Sequence, residues 1–318
     1  MLSLLALVPL LLAPGGHDDP PPPPPALRSV EVLGASVTAG FGLASELEVS
    51  LELGELLALA LGEDAGRVRT RGSSLFFQDP GGVGGAQVEA ALGEEPTLVV
   101  ALDYLFWFGY GYHGDCEARL RSLDRGLAQL ARFTCPVVVG DLPDMSAATE
   151  GASPLFGGRA LLAPAQVPDA ACRARLNARL REWAAARANV RVFDLERFAR
   201  EVRAPGTLEL RGNRWDPERK AALVQPDLLH TTLAGSAALL VVLCDELARA
   251  ELVVEERVLW DAQALVDRAL EHTAEAREKR RARRLRLEDL RRAREEADRG
   301  REQGSSGDGA RAPFLAAG

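Results

Sequence analysis

The chain has 318 residues, 47% hydrophobic and 26% charged, enough for one domain of about 200–250 residues with a full core, which excludes disorder throughout. A net charge of −8 argues against a nucleic-acid binder, which needs a basic face to replace phosphate counterions; a small neutral or cationic substrate fits equally well. Leu2 to Leu12 is an apolar run of signal-peptide length, too short for a comfortable membrane span. No Lys or Arg precedes it, the first basic residue being Arg28, and Pro14 with two glycines follows where a small-x-small cleavage site is expected. The expectation is export to the periplasm or the extracellular space, with a cytoplasmic location the alternative if the run does not act as a signal. No Cys follows the run, which argues against a lipid anchor of the bacterial lipoprotein kind.

Pro20 to Pro25 is an unbroken proline run that forces an extended spacer, so residues 1–27 read as leader and spacer. Ser29 to Leu33 then reads as a short apolar strand, followed by a tight turn and a helix over about 45–61. Arg67 to Thr70 is a second strand, Gln87 to Leu92 a helical turn, and Thr97 to Leu102 a strongly apolar third strand. A helix over 116–133, a strand over 136–140, a helix over 170–188 and a strand over 190–193 complete the alternation. This order predicts an α/β fold, a parallel sheet covered by helices on both faces, with the site at the carboxyl ends of the strands. The folded domain spans about 28–250.

Leu142 to Val167 is rich in Pro, Gly, Ser and Ala and reads as a functional loop over the site, with a surface excursion of no role as the alternative. Residues 251–303 read as one long charged helix, able to associate with itself or a partner, and 304–318 as a disordered tail. The basic stretch from Arg277 to Arg286 is interleaved with Glu275, Glu278, Glu288 and Asp289, which predicts a self-paired helix rather than a nucleic-acid contact. The four cysteines, Cys116, Cys135, Cys172 and Cys244, lack Cys-x-x-Cys spacing, so no zinc knuckle or thioredoxin motif is available. An even count in an exported protein could mean disulfides, yet a domain of this size does not need them and buried free thiols are the commoner outcome. Neither a metal nor a cofactor is expected.

Of the four histidines, His17 lies in the leader and His272 on the charged helix, leaving His113 and His230. His230 follows Asp227 by three residues, just before the apolar helix from Ser236 to Leu247. On a loop, that spacing lets a carboxylate turn toward an imidazole, fix its tautomer and stabilise the imidazolium. The matching nucleophile is Ser36 in Gly34-Ala35-Ser36, at a tight turn after strand one, where its own N–H can serve as an oxyanion donor. His113 beside Asp115 and Cys116 lacks the second cluster a metal site requires.

Gly-x-Ser after the first strand, Asp-x-x-His before the last helix, and the stretch from Leu176-Asn177 through Val190 to Leu195 between them resemble the SGNH/GDSL hydrolases over residues 30–248. The resemblance implies a three-layer, flavodoxin-like sandwich and an esterase or lipase mechanism through an acyl-enzyme. Ser36 would be nucleophile, His230 base and Asp227 its orienting partner. Two departures stand out. Ala35 replaces the Asp usual between Gly and Ser, and Asp103-Tyr104-Leu105-Phe106 stands where the family has Gly-x-Asn-Asp, so the side-chain oxyanion donor is missing. Such a loss typically costs about 100- to 1000-fold in turnover. Gly82 or Gly84, in a glycine run after strand two, is the expected backbone donor. The aromatic loop after strand three, with Asp103, Tyr104 and Trp107, is expected beside the site, a Tyr hydroxyl or backbone N–H replacing the lost Asn; aromatic packing alone is the other reading. The leading expectation is a serine hydrolase of O-acyl esters of carbohydrates or lipids. The alternative is an impaired relative that binds a glycan or a partner.

Overall fold

A computed structural model describes residues 25–305, with side chains described to residue 292 except Glu63. The expected leader, up to residue 24, and the tail from 306 lie outside the described residues. Five strands form the sheet: β1 (Ser29–Gly34), β2 (Arg67–Gly72), β3 (Leu98–Ala101), β4 (Val137–Gly140) and β5 (Val190–Phe193). They are parallel throughout, in spatial order β2-β1-β3-β4-β5. Strands β3 and β4 are runs of Val, Leu and Ala, with one terminal Gly, buried on both faces, as a helix-covered parallel sheet requires; β1 is buried throughout as well but carries Glu31, paired with Arg71 of β2 at 2.6 Å. Edge strand β2 instead carries Arg67, Arg69 and Arg71, a charged edge that discourages further pairing.

The helices are α1 (Leu43–Leu47), α2 (Leu53–Leu61), α3 (Pro80–Leu92), α4 (Phe106–Gly109), α5 (Cys116–Leu130), α6 (Ala170–Ala185), α7 (Leu195–Arg203), α8 (Pro217–Ala221), α9 (Leu233–Arg249) and α10 (Ala262–Ser305). Strand alternation divides the core in two. Leu98 and Val100 face a layer built on α2, α9 and the start of α10. Val99 and Ala101 face the layer of α3, α5 and α6. The result is a three-layer α/β/α sandwich, as the strand–helix alternation predicts.

Three differences from the sequence reading have local causes. The helix expected over 45–61 is broken, because Glu48 takes a left-handed conformation (φ 60°) and Glu52 restarts the helix, its N–H held 2.7 Å from the Glu55 carboxylate. Helix α3 starts at Pro80, well before Gln87, because Asp79 accepts the Gly82 N–H at 2.9 Å and Pro suits the first helical position. Helix α7 and the hairpin of β6 (Leu208–Leu210) with β7 (Asn213–Trp215) are additions. Short segments of this kind carry weak periodicity; the plainest signal is Asp194, whose side chain caps α7 through the Arg197 N–H at 3.0 Å.

Helix α10 starts at Ala262 rather than at 251, because residues 251–261 form a turn and a short 3-10 segment, Glu255–Arg257. It joins the core through Leu265, Ala269 and Thr273, all buried, and beyond Arg277 runs on with nearly all its described side chains exposed. The expected intrahelical pairing is sparse. Lys279 pairs with Glu275 at 2.5 Å, whereas Arg281, Arg283, Arg284 and Arg286 form no ion pair with described residues. Among the described residues no helix is long and apolar enough to cross a membrane.

The cysteines divide between the two outcomes that the sequence allows. Cys116 and Cys172 form a disulfide that ties the first residues of α5 to those of α6, while Cys135 and Cys244 remain free. A crosslink of this kind typically contributes about 2–4 kcal/mol by restricting the unfolded chain. Reduction, or Cys172→Ser, is therefore expected to lower the urea midpoint by a corresponding amount. Thiol titration of the unfolded chain should find two reactive groups before reduction, Cys135 and Cys244, and all four cysteines after it.

Candidate active site

The chain leaves β1 for β2 on one side and returns through β3 on the other, so β1 and β3 flank the switch point where open α/β sheets form a crevice at their carboxyl ends. Ser36 follows β1 by two residues and Asp103 follows β3 by two. The Asp103 carboxylate holds the Ser36 turn in place. It accepts the N–H groups of Ala35 at 3.0 Å, Val37 at 2.8 Å and Thr38 at 3.2 Å, and the Thr38 hydroxyl at 2.6 Å. Burial pushes this carboxyl up from its ordinary value, against four donors that favour its ionised form. The approach also explains Gly34, where a Cβ would lie 1.9 Å from Asp103 Oδ1. Gln87 clamps the same glycine from α3, accepting its N–H at 3.1 Å and donating to its carbonyl at 2.9 Å. Asp103 passes over the N–H of Ser36 itself.

The histidine loop is folded by its own aspartate. Asp227 Oδ1 accepts the N–H groups of Leu229 at 2.9 Å and His230 at 3.0 Å, a local turn that Asp favours. Leu228 takes the strained left-handed conformation (φ 57°) that the turn requires. Asp227 Oδ2 is thereby left 2.9 Å from His230 Nδ1, and His230 Nε2 lies 2.8 Å from Ser36 Oγ. Both Asp227 and His230 are buried. Burial pushes the Asp227 carboxyl up, but the hydrogen bond and charge of His230 and the two backbone donors outweigh it and hold the group below its ordinary value. Gln225 ties the loop to the serine turn, donating to the carbonyls of Phe41 at 2.8 Å and Thr231 at 2.7 Å. The Phe41 ring lies over His230 at 4.4 Å between centroids and stacks on Phe156 at 6.4 Å.

Phe156 belongs to the segment from Leu142 to Val167, which lies over the site. Its Ala152 N–H donates to Pro226 O at 2.9 Å, and Pro143 and Met145 line the cavity that opens at Ser36. Asn177 supports the start of this segment, accepting the Leu142 N–H at 2.8 Å and donating to the Leu142 carbonyl at 2.9 Å.

Several expected site residues lie elsewhere. Gly82 and Gly84 are not loop donors: the Gly82 N–H is taken by Asp79, and Gly84 is inside α3, packed on the Tyr104 hydroxyl. Tyr104 is fully buried and donates to Gln129 at 2.7 Å, so it belongs to the core rather than to a substrate loop. Tyr110 donates to Pro143 O at 2.5 Å, burial pushing its hydroxyl up to about 12, and Tyr112 is exposed. Trp107 packs on Phe77, leaving Phe106 as the aromatic of that segment on the cavity wall. His113 bonds the Tyr110 carbonyl at 3.1 Å, Asp115 caps α5 through Ala118 at 2.7 Å, and Cys116 is in the disulfide. No sequence motif marks Gln87, Gln225 or Phe41, and only tertiary contact gives them a role.

No family model matches the chain, and no curated protein matches it. Among solved structures it is similar to a lipase/acylhydrolase from Enterococcus faecalis, with 19% identity, a TM-score of 0.46, and 69% of this chain and 95% of that one covered. It is also similar to a protein from Bacillus subtilis, with 16% identity, a TM-score of 0.41, and coverage of 70% and 57% respectively. This chain thus spans little more than half of the second protein.

Two outcomes follow from the geometry. Asp103→Ala removes the acceptor of three backbone N–H groups, two of them in buried hydrogen bonds, and of the Thr38 hydroxyl, and Gly34→Ala drives a methyl into the same carboxylate. Each is expected to cost about 2–4 kcal/mol in urea unfolding, with the double variant well short of the sum because both break one contact. The lowered Asp227 value makes its contribution complete above the ordinary carboxylate value of 3.8 and lost as pH falls through the folded value. The thermal midpoint of Asp227→Asn should therefore lie below wild type at neutral pH, the gap closing as pH drops below 3.8.

Proposed function

We propose that the protein is a serine hydrolase of the SGNH/GDSL type that cleaves carboxylic O-acyl esters. The observation that carries this reading is the unbroken hydrogen-bonded chain from Ser36 Oγ through both ring nitrogens of His230 to Asp227. His230 Nε2 takes the Ser36 proton as Oγ bonds to the ester carbonyl carbon, and Asp227 stabilises the imidazolium through Nδ1. The imidazolium returns that proton to the alcohol oxygen as the carbon–oxygen bond breaks, leaving the acyl group on Ser36. Water, deprotonated by the same ring, then releases the acid and restores the serine. The Ser36 N–H, passed over by Asp103, serves as oxyanion donor.

A second reading, a domain of low turnover that binds a glycan or partner, is favoured by Leu102 and Phe106 on the cavity wall, in the segment where the family places its amide donor. On the first reading the enzyme is slow and its serine is nonetheless activated. We also propose that it works outside the cytoplasm, which the Cys116–Cys172 disulfide supports.

A fluorophosphonate probe tests the function directly. Wild type is expected to label at Ser36, with Ser36→Ala and His230→Ala unlabelled and any ester turnover reduced by about 10⁴-fold or more in each. A folded wild type that resists the probe gives the second reading.

A further inference from the structure

The cavity that opens at Ser36 and His230 continues inward between α7 and α9, where Phe198, Val202, Leu223 and Leu239 form its walls and Ala199 and Met145 line it further. Apart from Ser36, Asp103 and His230, the polar side chains on its lining are Arg203 and Thr231, and both are committed. The Arg203 guanidinium donates to the carbonyls of Asp144 and Leu228 and to Met145 Sδ. The Thr231 hydroxyl bonds Ser236 at 2.7 Å. A sugar placed here would bury hydroxyls with nothing to pair them, a costly arrangement. An acetyl group would leave most of the apolar wall uncovered.

We propose that this cavity is the acyl subsite and that it takes an unbranched aliphatic acyl chain longer than acetyl, with Ala199 and Val202 setting the length. The inference rests on the reading of Ser36 as nucleophile and adds the class of acid. The carbonyl carbon sits at Ser36 Oγ and the alkyl chain points away from solvent, so each buried methylene adds to transition-state binding by about fourfold.

The test uses the full chain and p-nitrophenyl acetate, butyrate and octanoate, together with calorimetric titration of decanoate into Ser36→Ala. The expected result is a kcat/KM that rises by at least tenfold from acetate to octanoate. Ala199→Phe, which fills the cavity from a half-buried position, should lower the octanoate-to-acetate ratio by at least tenfold and abolish decanoate binding. Val202→Phe serves as a second obstruction should the first variant fold poorly. Turnover that favours acetate, or a ratio untouched by both variants, overturns the acyl subsite while leaving Ser36 as nucleophile. Decanoate binding that both variants abolish, in a protein whose Ser36 resists fluorophosphonate, upholds the subsite and removes the hydrolase. Absence of both turnover and binding overturns both.

Discussion

Everything near the site depends on one buried carboxylate at a strand end. Asp103 accepts three consecutive-turn N–H groups and a hydroxyl from the segment after β1, welding the ends of the two strands that flank the switch point. A carboxyl group so placed is unfavourable unless its oxygens are hydrogen-bonded, and here the turn containing Ser36 supplies the donors. The serine is thus positioned by the requirement that a buried carboxyl group be satisfied. Gly34 and Gln87 follow from it: the first lets the carboxylate approach, the second fixes the glycine that does so.

Much of this was legible in residue order. The strands stood out because Val-rich runs alternate with helical patterns, and β5 matches its expected limits. Ser36, Asp227 and His230 stood out because they are chemically distinctive residues at element boundaries. What stayed hidden was decided by tertiary contact. The glycines at 81–85 read as a loop because glycine is a poor helix former; the Asp79 cap and the packing of Gly84 on Tyr104 reversed that. Asp103 is a candidate by its place at a strand end, but its role as the anchor of the Ser36 turn depends on a β1–β3 adjacency that no local pattern encodes.

The absent amide donor and the apolar cavity belong to one trade. Leu102 and Phe106 extend the hydrophobic lining up to the serine; on the proposed hydrolase reading they stand where a polar side chain would assist the oxyanion. Such a site gives up electrostatic stabilisation of the developing charge and gains contact with apolar groups of the ligand. The Phe41 ring packs against His230 beside this lining.

Helix α10 imposes a polarity on the whole molecule. From Arg277 to Arg286 there are seven basic residues and one acidic one, in a chain whose overall charge is −8, and Arg281, Arg283, Arg284 and Arg286 are exposed. An excess of positive charge is therefore gathered on one stretch of the helix while the remainder of the chain is anionic, a separation that gives the molecule a dipole. In the field of a charged surface such a body experiences a torque as well as a net force, so at low ionic strength it meets that surface in a preferred orientation.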